Sequence, residues 1–118
     1  MQSFFDVRIT DSPGRIVLTL AGELDFTARS QAAPLIGPLV LADRDLVVDL
    51  TRVTFMDAAG LGMLLRLCER VAAGGGAMEL RGLRPEVRRV LELTGTDGRF
   101  AEETGPAHGA PGPALGAA

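Results

Sequence analysis

Apolar and polar positions alternate from Phe5 to Thr10, with Phe5, Val7 and Ile9 set against Asp6, Arg8 and Thr10. This period of two predicts a half-buried strand. Asp11-Ser12-Pro13-Gly14 supplies turn chemistry, and Arg15 to Leu20 reads as a second strand antiparallel to the first. Ala21 to Asp25 is a loop ending in helix-capping residues. Beyond it Ala28, Ala32, Leu35, Ile36, Leu39 and Val40 keep helical spacing. Pro34 and Pro38 fall inside that run, so the expectation is a kinked helix over Ala28–Val40, or a turn and then a helix starting near Pro34. Leu46 to Leu50 is nearly all apolar, as in a central strand covered on both faces, and Val53 and Phe55 prolong the burial. After Asp57 the period becomes helical, with Leu61, Leu64, Leu65, Cys68, Val71 and Ala72 on one stripe until Gly74-Gly75-Gly76 stops it. Ala77 to Arg81 is a fourth strand. Pro85 opens a short helix with Val87, Val90, Leu91 and Thr94 on one side and Gly95 at its end.

The order β-β-α-β-α-β-α predicts an α/β domain in which helices pack on a mixed sheet of four to five strands. A length of 118 residues suits one such domain. We place it at residues 1–103. The remainder, 104–118, is mostly Gly, Ala and Pro and reads as a disordered tail, because it has few large apolar side chains to offset the entropy of ordering.

Composition removes several functions. The formal net charge of −3 is too mild to suggest nucleic-acid binding by charge alone. The single cysteine, Cys68, rules out an internal disulfide and a multi-cysteine metal site, and its place on the apolar stripe predicts an inert core thiol. The single histidine, His108, falls in the tail, which leaves a Ser/His/Asp triad without an ordered base. No Walker-type G-K-[ST] or complete G-x-G-x-x-G is present. Arg84, Arg88, Arg89 and Arg99 read as a solvated face. No enzyme, cofactor or metal is expected. No basic leader precedes an apolar core at the N-terminus, and no apolar run nears the roughly 18 residues of a membrane span, so a cytoplasmic protein without direct membrane insertion is expected.

The stretch FMDAAGLG, residues 55–62, is what remains. Asp57 stands where the helical period begins, so its carboxylate can cap the first turn. With the apolar stripe inward, Ala59, Gly62, Met63 and Arg66 point outward. They form a small, flat strip at a helix N-terminus against which a partner backbone can lie, with Met63 as an adaptable contact. Asp25 is a second capping residue, at the preceding helix.

AGELDFTAR, LVVDLTRVTFMDAAGLGMLLRL and GGGAMELRGLRPEVRRVLELTG, in that order, resemble the STAS domain of bacterial anti-sigma-factor antagonists from about Phe5 to Phe100. The resemblance implies a STAS-type sheet and a partner-switching role. The unphosphorylated antagonist binds an anti-sigma factor of the GHKL Ser/Thr kinase type and releases the sigma factor; ATP belongs to the kinase. The kinase then phosphorylates the hydroxyl residue directly after the turn aspartate. It also implies partner binding through Asp25, Asp57, Ala59, Gly60, Gly62, Met63 and Arg66, and is compatible with a homodimer. This chain departs from the pattern at the acceptor itself: Ala58 has no oxygen, nor has Ala59, and Thr27, Thr51 and Thr54 occupy other positions. Two successive alanines favour a natural variant over an engineered block, which needs only one. The alternative reading is a STAS subunit of a membrane lipid or anion transport assembly; a ligand-sensing module ranks third.

Overall fold

The computed structural model describes residues 4–103. Strands β1 (Phe5–Ser12) and β2 (Arg15–Leu24) form an antiparallel hairpin closed at Pro13-Gly14, with Ser12 opposite Arg15. Helix α1 (Phe26–Ile36), strand β3 (Asp45–Met56), helix α2 (Ala58–Ala73), strand β4 (Met78–Arg81) and helix α3 (Pro85–Leu93) follow. A 3-10 turn at Asp97–Arg99 leads into a short strand β5 (Ala101–Glu103). The five strands lie in chain order, and every pair after the hairpin is parallel. This is the expected α/β mixed sheet, with five strands.

Strand order explains where the core lies. Each parallel crossover steps to the next strand in the same direction, and right-handed crossovers of that kind put all the connecting helices on one face. Ile16, Leu18 and Leu20 of β2, Leu46, Val48 and Leu50 of β3, and Met78 and Leu80 of β4 are all buried on that face. They join Ala28, Ala32 and Ile36 of α1, Leu61, Leu64, Leu67 and Val71 of α2, and Val87 and Leu91 of α3 in one cluster. Each fully buried leucine contributes about 1.5–3 kcal/mol relative to exposure. On the other face, Val17, Thr19, Asp49, Glu79 and Arg81 are only half-buried; Val47 is buried.

Several boundaries differ from the sequence expectation. Strand β2 continues to Leu24, through Ala21–Leu24 that reads as a loop in the sequence, because β3 pairs with it as far as Leu24. Helix α1 begins at Phe26 rather than Ala28 and ends at Ile36 rather than Val40, with Pro34 inside its last turn. Pro34 lacks the N–H that would bond to residue 30, and the helix stops soon after it. At and beyond the helix end, carbonyls without an intrahelical partner go to Arg70 of α2, whose guanidinium donates to Ile36 O (3.3 Å), Gly37 O (3.3 Å) and Leu39 O (2.9 Å). Strand β3 runs well past Leu50 to Met56, with register shifts against β2 between Thr19 and Ala21 and between Gly22 and Glu23. In that irregular stretch Val53 and Met56 turn inward while Phe55 turns out, against the expectation of burial. The stripe of α2 is rotated as well: Leu65 and Cys68 are half-buried, Ala72 is exposed, and Met63 and Leu67 are buried. The helix packs on α1 as well as the sheet, so its apolar arc is wider than one stripe. The tail over 104–118, with His108, lies outside the described residues.

Candidate functional site

Leu24 of β2 and Met56 of β3 are partners in the parallel ladder, and each is followed by an aspartate that starts a helix. Asp25 (φ −117°, ψ −168°) caps α1, and Asp57 (φ −112°, ψ −170°) caps α2. Asp25 accepts from Ala28 N–H at 2.9 Å. Asp57 accepts from Ala59 N–H at 2.9 Å and Gly60 N–H at 3.1 Å. The Asp57 amide in turn donates to Leu24 O at 3.3 Å, which ties the two strand ends together. Two helix N-termini, each with the positive end of its dipole, therefore open side by side at one end of the sheet.

The expected site residues divide at this point. Ala58 is exposed, Ala59 and Gly62 are half-buried, and Arg66 is exposed one turn beyond Gly62. With i,i+4 spacing through Ala58, Gly62 and Arg66, they form an open strip along α2. A β-carbon placed on Gly62 would meet nothing within 4 Å, so this glycine leaves real space outside. Gly60 does not belong to the strip. It is buried, and a β-carbon there would lie 2.1 Å from Leu24 O, so its smallness serves the approach of α2 to β2. Met63 is only 7% exposed, against the expectation of an outward contact. It lines the groove shared with Arg29, Ala33 and Ile36 of α1, which the sequence pattern of α2 alone does not reveal.

Two aromatic side chains flank the caps and were missed by pattern reading. Phe26, directly after Asp25, is 67% exposed, and Phe55, two residues before Asp57, is 47% exposed. Phe4 is exposed at the same end, where its carbonyl accepts from Glu23 N–H at 3.0 Å. Phe26 had a signal, since it lies outside the Ala28-Ala32-Ile36 spacing of the buried side of α1. Phe55 had none, because its outward turn depends on the irregular β2–β3 register.

Below the strip, a groove of about 230 Å³ runs between α1 and α2, with Arg29, Arg66 and Arg70 around apolar Ile36, Met63 and Leu67. Arg84, Arg89 and Arg99 are exposed as expected; Arg88 is half-buried. Cys68 lies at the core margin, with its Sγ 3.7 Å from Arg99 O. No cluster of three or more His, Cys, Asp or Glu suited to a metal occurs among the described residues, and no described helix is long and apolar enough to cross a membrane.

The arrangement offers adjacent helix N-termini, an open strip and exposed aromatics, which is a surface for contact. Known proteins with this chain pattern include the anti-sigma-B factor antagonist of Bacillus subtilis (strain 168), 28% identical over 90 residues that cover 76% of this chain and 83% of that protein. A STAS-domain containing protein of Pseudomonas aeruginosa (strain UCBPP-PA14) is 28% identical over 85 residues, 72% of this chain and 84% of its relative. Among solved structures, the anti-sigma factor antagonist SpoIIAA in its unphosphorylated form superposes with a TM-score of 0.70 at 25% identity, covering 84% of this chain and 89% of that one. The STAS domain model matches residues 5–109, and the chain belongs to the STAS domain family.

Proposed function

We propose that this protein is a non-catalytic anti-sigma-factor antagonist that binds an anti-sigma factor of the GHKL Ser/Thr kinase type, and that its contact surface lacks a phosphoacceptor. The open space at Gly62, beside the Asp57 cap and in a chain with anti-sigma-factor antagonists as relatives, is the observation that carries the reading. Ala58, Ala59, Gly62 and Arg66 let a partner backbone approach α2. Asp25 and Asp57 fix the two helix ends, and Phe26 and Phe55 supply apolar contact at the margin.

The charge physics explains what Ala58 changes. A phosphoryl group brings about −1.5 to −2 of charge at pH 7. At the first residue of α2 the helix dipole would tolerate it within the antagonist. Inside an interface beside Asp57 it would meet like charge and lose hydration, and the complex would separate. A methyl group at Ala58 cannot carry that signal, so association here is controlled by the partner or by abundance.

The test is association between the purified protein and the anti-sigma kinases of its own genome, measured by titration calorimetry. Binding to one of them that is abolished by Gly62→Arg, with the thermal unfolding of the variant unchanged, supports the reading. Absence of binding to every such kinase, or binding to a transporter ATPase instead, overturns it in favour of a transport subunit.

A further inference from the structure

We infer that the groove between α1 and α2 receives a carboxylate side chain of the protein partner. The inference rests on the partner-binding reading above and gives that partner a chemistry. Size is the first argument. At about 230 Å³ the groove is smaller than the roughly 300–1,000 Å³ of sites that hold whole small molecules, and it suits one side chain.

Charge is the second argument. The chain carries 15 Asp and Glu against 12 basic residues, yet helices α1 and α2 contain Arg29, Arg66 and Arg70 and a single acid, Glu69. Arg70 is committed to the carbonyls that end α1. Arg29 and Arg66 make no side-chain hydrogen bond or ion pair among the described residues, although both line the groove. Two guanidinium forks on facing helices without a partner among the described residues, over an apolar lining of Ile36, Met63 and Leu67, match the head and stem of a glutamate. A guanidinium holds a carboxylate through paired N–H bonds, and the low-polarity lining strengthens them.

Position is the third argument. Arg66 lies one turn from Gly62, so the groove continues the open strip. A partner segment lying on the strip reaches the groove without a change of direction.

The probe is hexaglutamate, with hexaglutamine and inorganic phosphate as controls, titrated into the ¹⁵N-labelled full chain and followed by amide shifts. The expected result is saturable shifts at Arg29, Met63 and Arg66 with hexaglutamate alone, lost in the Arg29→Ala/Arg66→Ala double variant. No shifts, shifts spread equally over Arg84 and Arg89, or tighter binding of phosphate than of hexaglutamate would overturn the inference. A second arm uses the kinase that binds the wild-type chain. Arg29→Glu/Arg66→Glu is expected to weaken that complex at least tenfold, and Arg29→Lys/Arg66→Lys to weaken it less, since lysine keeps the charge and loses the fork. If the charge reversal binds like wild type while Gly62→Arg does not, the groove falls and the antagonist reading stands. If no kinase binds wild type, the antagonist reading falls and the peptide titration decides the groove by itself.

Discussion

Gly60 sits directly over the carbonyl of Leu24, with no room for even one more carbon between α2 and the end of β2. Two residues on, Gly62 faces open space. One glycine therefore serves packing and the other leaves a surface, although in the sequence they are the same residue type two positions apart.

Alanine substitutions separate the two. Gly60→Ala should destabilise the fold by about 1–3 kcal/mol, because backbone faces the new methyl and cannot swing aside. Gly62→Ala should leave stability unchanged or raise it by up to about 1 kcal/mol, since alanine costs less entropy in a helix interior. Urea denaturation of both variants, read by far-ultraviolet circular dichroism, measures the contrast. Equal losses at the two sites would contradict this placement of α2.

The aspartate caps can be tested for charge as well as for capping. Asp57→Ala removes an acceptor for two amides and should cost about 0.5–2 kcal/mol, while Asp57→Asn should retain most of the stability because its side-chain oxygen can accept the same bonds. The Asp25 pair should show the same contrast, with the bond from Ala28 N–H lost in Asp25→Ala and kept in Asp25→Asn. If the partner reads the negative charge, Asp57→Asn will keep its melting temperature and lose affinity for the kinase. Joint measurement of unfolding and binding distinguishes a cap from a contact.

Arg70 reaches across to the end of α1, so a side chain on one helix satisfies the carbonyls at the end of another. Arg70→Ala should cost about 1–2 kcal/mol, given that hydrogen bonds to charged donors are worth about 1.5–3 kcal/mol when protected and this side chain is only half-buried. Amide hydrogen exchange should speed up at Ile36, Gly37 and Leu39 before it changes in the β2–β3 core. Uniform acceleration across the domain would mean that Arg70 acts on global stability instead.

Much of this architecture is written locally. Alternation in Phe5–Thr10, the Asp57 cap, the glycine run at 74–76 and Pro85 all point to elements that are present, because the physics acts within a few residues. The features that escaped depend on distant partners. The end of α1 is satisfied by Arg70, 34 residues from Ile36. Met63 is inward because α1 packs there, and Phe55 is outward because β2 and β3 slip register. Strand β5 is three residues long and too short for any period to show. At the candidate site the caps and Gly62 could be read in advance, whereas the exposed aromatics and the arginine groove required the fold.

Restoring a hydroxyl at the turn tests the proposed loss of the switch most directly. Ala58→Ser places an oxygen at the first residue of α2, at an exposed position where serine costs only a few tenths of a kcal/mol in helix propensity. The fold should therefore be unchanged. Incubated with ATP and the kinase that binds it, the wild-type chain should gain no phosphate by mass spectrometry, while Ala58→Ser should gain one and then lose affinity for that kinase. The loss follows from placing a doubly charged group beside Asp57 within a contact surface. A wild-type chain that gained a phosphate would mean that another hydroxyl, such as exposed Thr27 or Thr54, has taken the acceptor role. An Ala58→Ser chain that bound the kinase and stayed unmodified would mean that the departure from the family pattern extends beyond this one side chain, to the way the turn meets the kinase.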